Sequence, residues 1–337
     1  MIYLYMPILH LANTYFEEEI ATGRLLSPHI AIQQHPIFRK LEWIPFLYAD
    51  PEDGVLVTTE PPESLFTHLP LYKRPHIELF SEKKPLAYER LVSWGASPSI
   101  ATWAKKHHLA YSIPPWEVVC AVNSKEFSFK RAPKLKNSTL LYSLEEVLKW
   151  HALQKGPSVL KTCFGLSGRG HLLLPEHTGR IEAFTAPEFA KNRPVIAEPW
   201  VKRTLDFSTQ WEILQSGEID YIGMTLCIND SRGKYKETRV GDIPLPLHFE
   251  QHKETALIIL KEMSALKFFG NVGIDAMIYE NEEGKETLHP IVEINARKTM
   301  GWVALKIQER YFKKSTLSVA FSLTKKDLAV ILTPWSY

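Results

Sequence analysis

From residue 290 to 301 the chain reads Pro-Ile-Val-Glu-Ile-Asn-Ala-Arg-Lys-Thr-Met-Gly, and its polar and apolar positions alternate. That period predicts a strand with Glu293, Asn295 and Arg297 on one face and Val292, Ile294 and Ala296 turned to a core. Residues 273–279, Gly-Ile-Asp-Ala-Met-Ile-Tyr, predict a second strand, and the charged run Glu280–Glu286 around Gly284 predicts the hairpin turn between them. A hairpin centred near Gly284 sets Asp275 opposite Glu293 or its neighbour.

The same reading runs upstream. Residues 42–48 and 54–59 predict strands, the first limited by its proline. Residues 90–94 predict a strand that turns through Gly95 into a helix, with Ser97 as N-cap, Pro98 at the first helical position and an end near His108. The capping box Ser143-Leu-Glu-Glu146 announces a further helix. Strands are predicted at 158–161 and 171–174, flanking the glycine-rich loop 164–170, then at 195–201 with a kink at Pro199, at 210–214 and at 221–227. The polar stretch 229–241, with Arg232, Lys234, Lys236 and Arg239, reads as a mobile segment. Ala256, Ile259, Leu260, Met263 and Leu266 recur at helical spacing, and that stripe is core.

Composition is that of an ordinary globular protein. The 337 residues are 45% apolar and 23% charged with a formal net charge of +2, ordinary values for a globular chain of two or three subdomains. That balance gives no general drive toward nucleic acid or membrane. Lys125, Lys130, Arg131, Lys134 and Lys136 lie among Phe127 and Phe129, but an isolated basic stretch in a balanced chain is weak ground for nucleic-acid binding. Three widely spaced cysteines make neither a disulfide framework nor a metal cluster and read as small buried hydrophobes. No basic leader precedes the first apolar run and no run of 18 apolar residues exists, so a cytoplasmic location is expected. His248 and His252 are read as solvated, since Glu250 between them completes no zinc-peptidase pattern.

The chemistry concentrates on the first hairpin. An acid, an amide and a guanidinium side by side are costly to bury without a partner. Facing carboxylates at Asp275 and Glu293 repel each other unless a cation lies between them. A divalent cation on a polyphosphate suits the set, with hard oxygen ligands from Glu293 and Asn295 and an anion on Arg297. The loop at 164–170 permits close backbone approach to an anion, although it matches neither the Walker nor the dinucleotide fingerprint.

In order, Asn123-Ser-Lys125, Lys161 with the loop Gly165–Gly170, Glu198-Pro-Trp-Val201 with Asp206, Asp275, and Glu293-Ile-Asn295-Ala-Arg297 resemble the motifs of the ATP-grasp superfamily of carboxylate–amine ligases. The resemblance covers about residues 120–312. It implies an α/β (α+β) fold in which two α+β subdomains, at 121–198 and 199–312, clasp ATP. A small α/β domain at 1–120 would precede them, and 313–337 would form a C-terminal extension. It further implies ATP phosphates on Lys125 and Lys161 under a closing loop that contains Gly165, Ser167, Gly168 and Gly170. Glu198, Pro199, Trp200 and Val201 would receive adenine at the hinge, and Asp206 would hold the ribose. Asp275, Glu293 and Asn295 would be the Mg2+ ligands, with Arg297 on the acyl substrate or transferred phosphate. For such a transfer, Lys161 and an arginine from Arg232, Arg239 or Arg297 would stabilise the transferred group. The implied reaction joins a small-molecule or peptide carboxylate to an amine, with ADP released, and is compatible with a homodimer. A kinase on the same fold and a non-catalytic nucleotide-binding protein are the alternatives.

Overall fold

The computed structural model describes residues 6–67, 69, 73–80, 87–165, 170–230, 235–313, 315–323 and 328–334. Ser167, Gly168 and Arg232 lie outside them. The N-terminal part contributes β1 (Ile8–Leu11), α1 (Phe16–Thr22), α2 (Pro28–Gln34), α3 (Pro36–Leu41), β2 (Gly54–Val57), β3 (His76–Leu79), β4 (Arg90–Ser93) and α4 (Pro98–Lys106). Its strands are all parallel, in the order β3-β2-β1-β4. The order reverses direction between β1 and β4, so the carboxyl ends of those two strands border the crevice where open α/β sheets receive ligands. Asn13 closes the base of that crevice. Its side chain accepts from the backbone N–H of Trp94 (2.9 Å) and Gly95 (3.2 Å) and donates to the Gly95 carbonyl (2.9 Å).

The expected strand at 42–48 is instead a 3-10 turn over Ile44–Leu47. Trp43, Ile44, Phe46 and Leu47 are all buried, which no two-faced strand requires, and Pro45 fits the first turn, where its missing N–H costs nothing. The sequence places Ser97 correctly: its hydroxyl accepts from Ser99 N–H at 3.2 Å and caps α4.

Next come α5 (Trp116–Val122), α6 (Lys125–Arg131), β5 (Thr139–Leu141), α7 (Leu144–Ala152), β6 (Ser158–Thr162), β7 (His171–Leu174), α8 (Thr178–Phe189) and β8 (Val195–Pro199). The strands make an antiparallel sheet, β5-β8-β6-β7, with the glycine-rich loop between β6 and β7. The box at 143–146 caps α7: Ser143 accepts from Glu146 N–H at 3.2 Å, and Glu146 accepts from Tyr142 N–H at 2.6 Å.

The largest sheet contains β9 (Lys202–Ile213), β10 (Ile219–Asn229), β11 (Tyr235–Val240), β12 (Gly270–Glu280), β13 (Glu286–Asn295), β14 (Leu317–Leu323) and β15 (Leu328–Pro334). Among the described residues its order is β13-β12-β9-β10-β11-β14-β15. Helices α9 (Phe249–Ala265) and α10 (Met300–Ile307) pack on it. Half of the stretch predicted to be mobile is thus strand β11, paired with β10 and β14. Its charged residues hid an alternation in which Thr238 and Val240 are buried. Strands β14 and β15 extend the same sheet.

His248 is exposed, but His252 is fully buried, against the solvated reading. Trp211 Nε1 donates to Thr209 Oγ1 (2.8 Å), the hydroxyl lies 2.8 Å from His252 Nε2, and Nδ1 lies 2.7 Å from the Pro290 carbonyl. The carbonyl requires a proton on Nδ1, which leaves Nε2 to accept from Thr209. Burial lowers the His252 pKa to about 4, and the Pro290 carbonyl offsets only part of this. The folded protein therefore holds His252 neutral while the unfolded chain protonates it near 6.5. Stability contributed by the neutral ring is present above pH 6.5 and is lost as pH falls toward 4, by about 2–3 kcal/mol. His252→Gln should be less stable than the parent at pH 7.5, yet lose less on acidification to pH 4.5 in urea titrations. An equal acid-induced loss in both proteins would contradict this.

Candidate functional site

The hairpin forms as its pattern predicts, with Gly284 at φ 74° in the turn. Asp275 pairs with Glu293, Ile274 with Ile294 and Gly273 with Asn295. One detail differs. Between Met277↔His289 and Asp275↔Glu293, the single residue Ala276 faces Pro290, Ile291 and Val292. This bulge buries Ile291 and leaves Val292, expected in the core, half-buried. Gly273 is needed for contact with the turn that follows β13: a Cβ there would lie 2.6 Å from Thr299 Cγ2. Thr299 caps α10 and donates to Gln210 Oε1 at 2.7 Å, fixing the turn that carries Arg297 and Lys298.

Asn295 Nδ2 donates to Asp275 Oδ2 at 3.1 Å, and Arg297 Nη2 donates to Asn295 Oδ1 at 3.0 Å. Burial, and then the charge of Glu293, raises the Asp275 pKa to about 6, with a Ser208 hydrogen bond acting against them. Burial also pushes Glu293 up, but Lys125, by charge and hydrogen bond, brings it below the usual value. Lys125 Nζ lies 2.5 Å from Glu293 Oε1. The motif at 123–125 accounts for this reach. Asn123 accepts from Ala296 N–H at 3.0 Å, Ser124 caps α6, and the Lys125 N–H donates to the Cys163 carbonyl at 2.9 Å.

Lys161 on β6 pairs with Glu198 on β8 at 2.5 Å, and its charge and hydrogen bond outweigh burial to hold the Glu198 pKa below normal. Lys125, Lys161, Glu198 and His289 line a cavity of about 20 Å³, room for little more than a water. Two residues along the chain from Glu198, Trp200 lines a second cavity of about 560 Å³, shared with Val201, Arg203, Asp206 and Asn229. That volume is within the usual range for small-molecule sites. Asp206 accepts from Asn229 Nδ2 at 3.0 Å and lies 3.5 Å from Arg203 Nη1, and the Arg203 guanidinium lies 4.8 Å from the Trp200 ring centroid. At the base of the glycine-rich loop, Gly165 and Gly170 pack on each other. A Cβ on Gly165 would lie 2.8 Å from Gly170 Cα, so no larger residue fits without a shift.

No protein-family model matches the sequence, and no curated protein matches it. Solved structures do. One is N5-carboxyaminoimidazole synthetase from Staphylococcus aureus complexed with ADP (TM-score 0.53, 11% identity, 96% of this chain and 84% of that one covered). Another is biotin carboxylase from Campylobacter jejuni (TM-score 0.55, 10% identity, 94% and 75% covered). A third is the biotin carboxylase domain of the Hydrogenobacter thermophilus 2-oxoglutarate carboxylase, complexed with MgADP, ADP and bicarbonate (TM-score 0.54, 12% identity, 94% and 75% covered). This chain has the ATP-grasp fold.

Within the ATP-grasp fold seen here, Lys125, Asp275, Glu293, Asn295 and Arg297 meet in one connected cluster. Lys161 and Glu198 meet beside it, and Trp200, Val201 and Asp206 line the larger cavity. Arg239 is not brought to either group. Strand register aligns it with Leu226, Phe207 and Ala276, whereas Asp275 aligns with Ser208 and Thr225, so the two lie on opposite faces of the sheet. Its Nε lies 2.9 Å from Glu237. The basic stretch at 125–136 is largely spent on acids: besides Lys125, Lys130 pairs with Glu126, Arg131 with Glu262 and Lys136 with Glu282.

Sequence reasoning missed His171, His289, Arg203, Asn229, Glu17 and Lys298. His171 stacks toward Trp200 (centroids 6.4 Å apart), and burial lowers the pKa of both histidines, to about 4 for His289. His289 could have been found, because it stands immediately before the 290–301 stretch and lies in the same strand. Glu17, which pairs with Arg297, could not, since it lies far away in sequence in an ordinary acidic first turn. Among the described residues no helix is long and apolar enough to cross a membrane.

Proposed function

We propose that the protein is an ATP-dependent ligase that joins a carboxylate to an amine through an acylphosphate, releasing ADP and phosphate. The observation that carries this reading is the meeting of Lys125, Asp275, Glu293, Asn295 and Arg297 in one connected cluster, with Arg297 paired to Glu17 on α1, the helix that follows β1. Two cations and two facing carboxylates are thereby joined in one hydrogen-bonded cluster beside the N-terminal sheet. In this reading the chain divides near residues 120, 198 and 312, and small-molecule or peptide substrates enter between the 1–120 part and the 199–312 part, where Glu17 meets Arg297.

Roles follow from what each side chain can do. Backbone groups at Glu198–Val201 would hold adenine, and Asp206 would accept from the ribose hydroxyls. Lys125 and Lys161 would leave their carboxylate partners for phosphate oxygens, which opens the small cavity between them. Gly165 and Gly170 form the base of the loop that would exclude water from the acylphosphate. Asp275, Glu293 and Asn295 suit magnesium, because the donors are hard oxygens and two carboxylates face each other. Among the described residues no group of three or more His, Cys, Asp or Glu side chains gathers to hold a metal, so phosphates and water would complete the set. When bound, the metal would supply positive charge against the phosphates. Arg297 would grip the acyl carboxylate, since a guanidinium offers paired hydrogen bonds. Little covalent work falls to side chains in such a transfer, so positioned charge dominates.

The test is nucleotide binding. At a hundred times Kd, MgATP would stabilise the native state by about 2.7 kcal/mol, a rise of several degrees in Tm. Lys161→Ala should remove most of that rise. No shift in the parent protein at millimolar MgATP would contradict the reading.

A further inference from the structure

Arg297 is held from three sides. Nε contacts Glu17 Oε1 on α1, Nη1 donates to the Lys298 carbonyl at 3.1 Å and Nη2 to Asn295 Oδ1 at 3.0 Å. A guanidinium has five N–H groups; with three engaged, two remain to grip an acyl carboxylate. Glu17 therefore need not leave when substrate binds. Its side chain is 18% exposed, and Arg297 is its one partner among the described residues. Its second carboxylate oxygen has no partner among the described residues and stays available to a ligand.

The crevice has another marked feature. Helix α4 begins there, and such a helix start favours anions, yet the position is already filled. The fully buried Glu19 accepts from Ser97 Oγ at 2.5 Å and from Leu26 N–H at 2.8 Å, and Ser97 is the α4 N-cap. A phosphate brought to this helix start would meet a carboxylate. Lys298 does not counter it. The side chain is buried, donates to the Ser93 carbonyl at 3.1 Å and lies 5.3 Å and 5.2 Å from the Tyr48 and Trp302 ring centroids.

We propose that Glu17 is the receptor and general base for the acyl acceptor, a primary amine that arrives as an ammonium ion and carries no phosphate at this end. The proposal rests on the ligase reading. In the step, the ammonium gives one proton to Glu17 and the freed nitrogen lone pair attacks the acyl carbon. The C–N bond forms and the C–O bond to phosphate breaks. The departing phosphate keeps that electron pair and takes the second nitrogen proton, and Glu17 returns its own proton to solvent.

The test compares two nucleophiles with the full-length protein and MgATP. Hydroxylamine is neutral at pH 7.5 and needs neither an ammonium receptor nor a base. A pool of amino acids and diamines, protonated at that pH, needs both. With pooled carboxylic acids as donors, Glu17→Gln should lower amide formation about a hundredfold and hydroxamate formation less than tenfold. Amide formation by the variant should then recover about tenfold per pH unit between pH 7 and 9, as the free amine fraction rises, while the parent stays nearly flat. Equal loss with both nucleophiles would overturn the proposal and make Glu17 a positioning residue for Arg297. Unchanged amide formation, or a variant with the parent's pH profile, would also overturn it. Absence of hydroxamate from the parent protein would instead sink the ligase reading on which it rests.

Discussion

Glu293→Gln is expected to lower ATP turnover by at least a hundredfold while leaving the fold in place. The substitution keeps the shape of the side chain and one hydrogen-bond acceptor for Lys125, and the neighbouring core positions Ile291 and Ile294 are untouched. What it removes is charge at the point where Asp275 and Glu293 face each other. Losing one such group where charge develops typically costs about 10²–10³ in rate. The check is ADP release across a magnesium titration, with Tm measured beside it to within a few degrees of the parent. Parent-like turnover at low magnesium would show that the carboxylate holds no metal.

Arg297→Lys should lower hydroxamate formation about a hundredfold, corresponding to one charge-assisted contact of about 2–3 kcal/mol. A lysine ammonium cannot reproduce the fork that meets Asn295, the Lys298 carbonyl and Glu17 together. The Tm rise with MgATP should persist in this variant, because the nucleotide contacts are assigned to Lys125, Lys161 and the 198–206 segment. Loss of both responses would move Arg297 from the acyl group to the nucleotide.

How much of this was legible in the sequence depended on whether the signal was local. The facing pair Asp275 and Glu293 could be read from two alternating strands and a glycine turn, because hairpin register is set within a few residues. The caps at Ser97 and Ser143 were legible for the same reason. The bulge that exchanges Ile291 for Val292 was not read, although Pro290, with no N–H to give the ladder, sits where the register breaks; the hold that His252 takes on the Pro290 carbonyl from a distant helix left no such sign. Strand β11 was obscured by its charges, and its register, settled by β10 and β14, turns Arg239 away from the cluster. Residues 42–48 carry strand-like composition, but burial on all sides overrode it. Contacts between distant segments, above all Glu17 with Arg297, leave no trace in either segment alone.

Hydroxylamine trapping reports whether a carboxylate is activated by phosphorylation. The protein is incubated with MgATP, hydroxylamine and pools of carboxylic acids, and hydroxamate and nucleotide products are quantified together. Hydroxamate is expected in equal amount to ADP from at least one acid pool, with neither product above background for Lys161→Ala. A stable phosphate ester from an alcohol with no hydroxamate from any acid, or release of AMP and pyrophosphate, would contradict it.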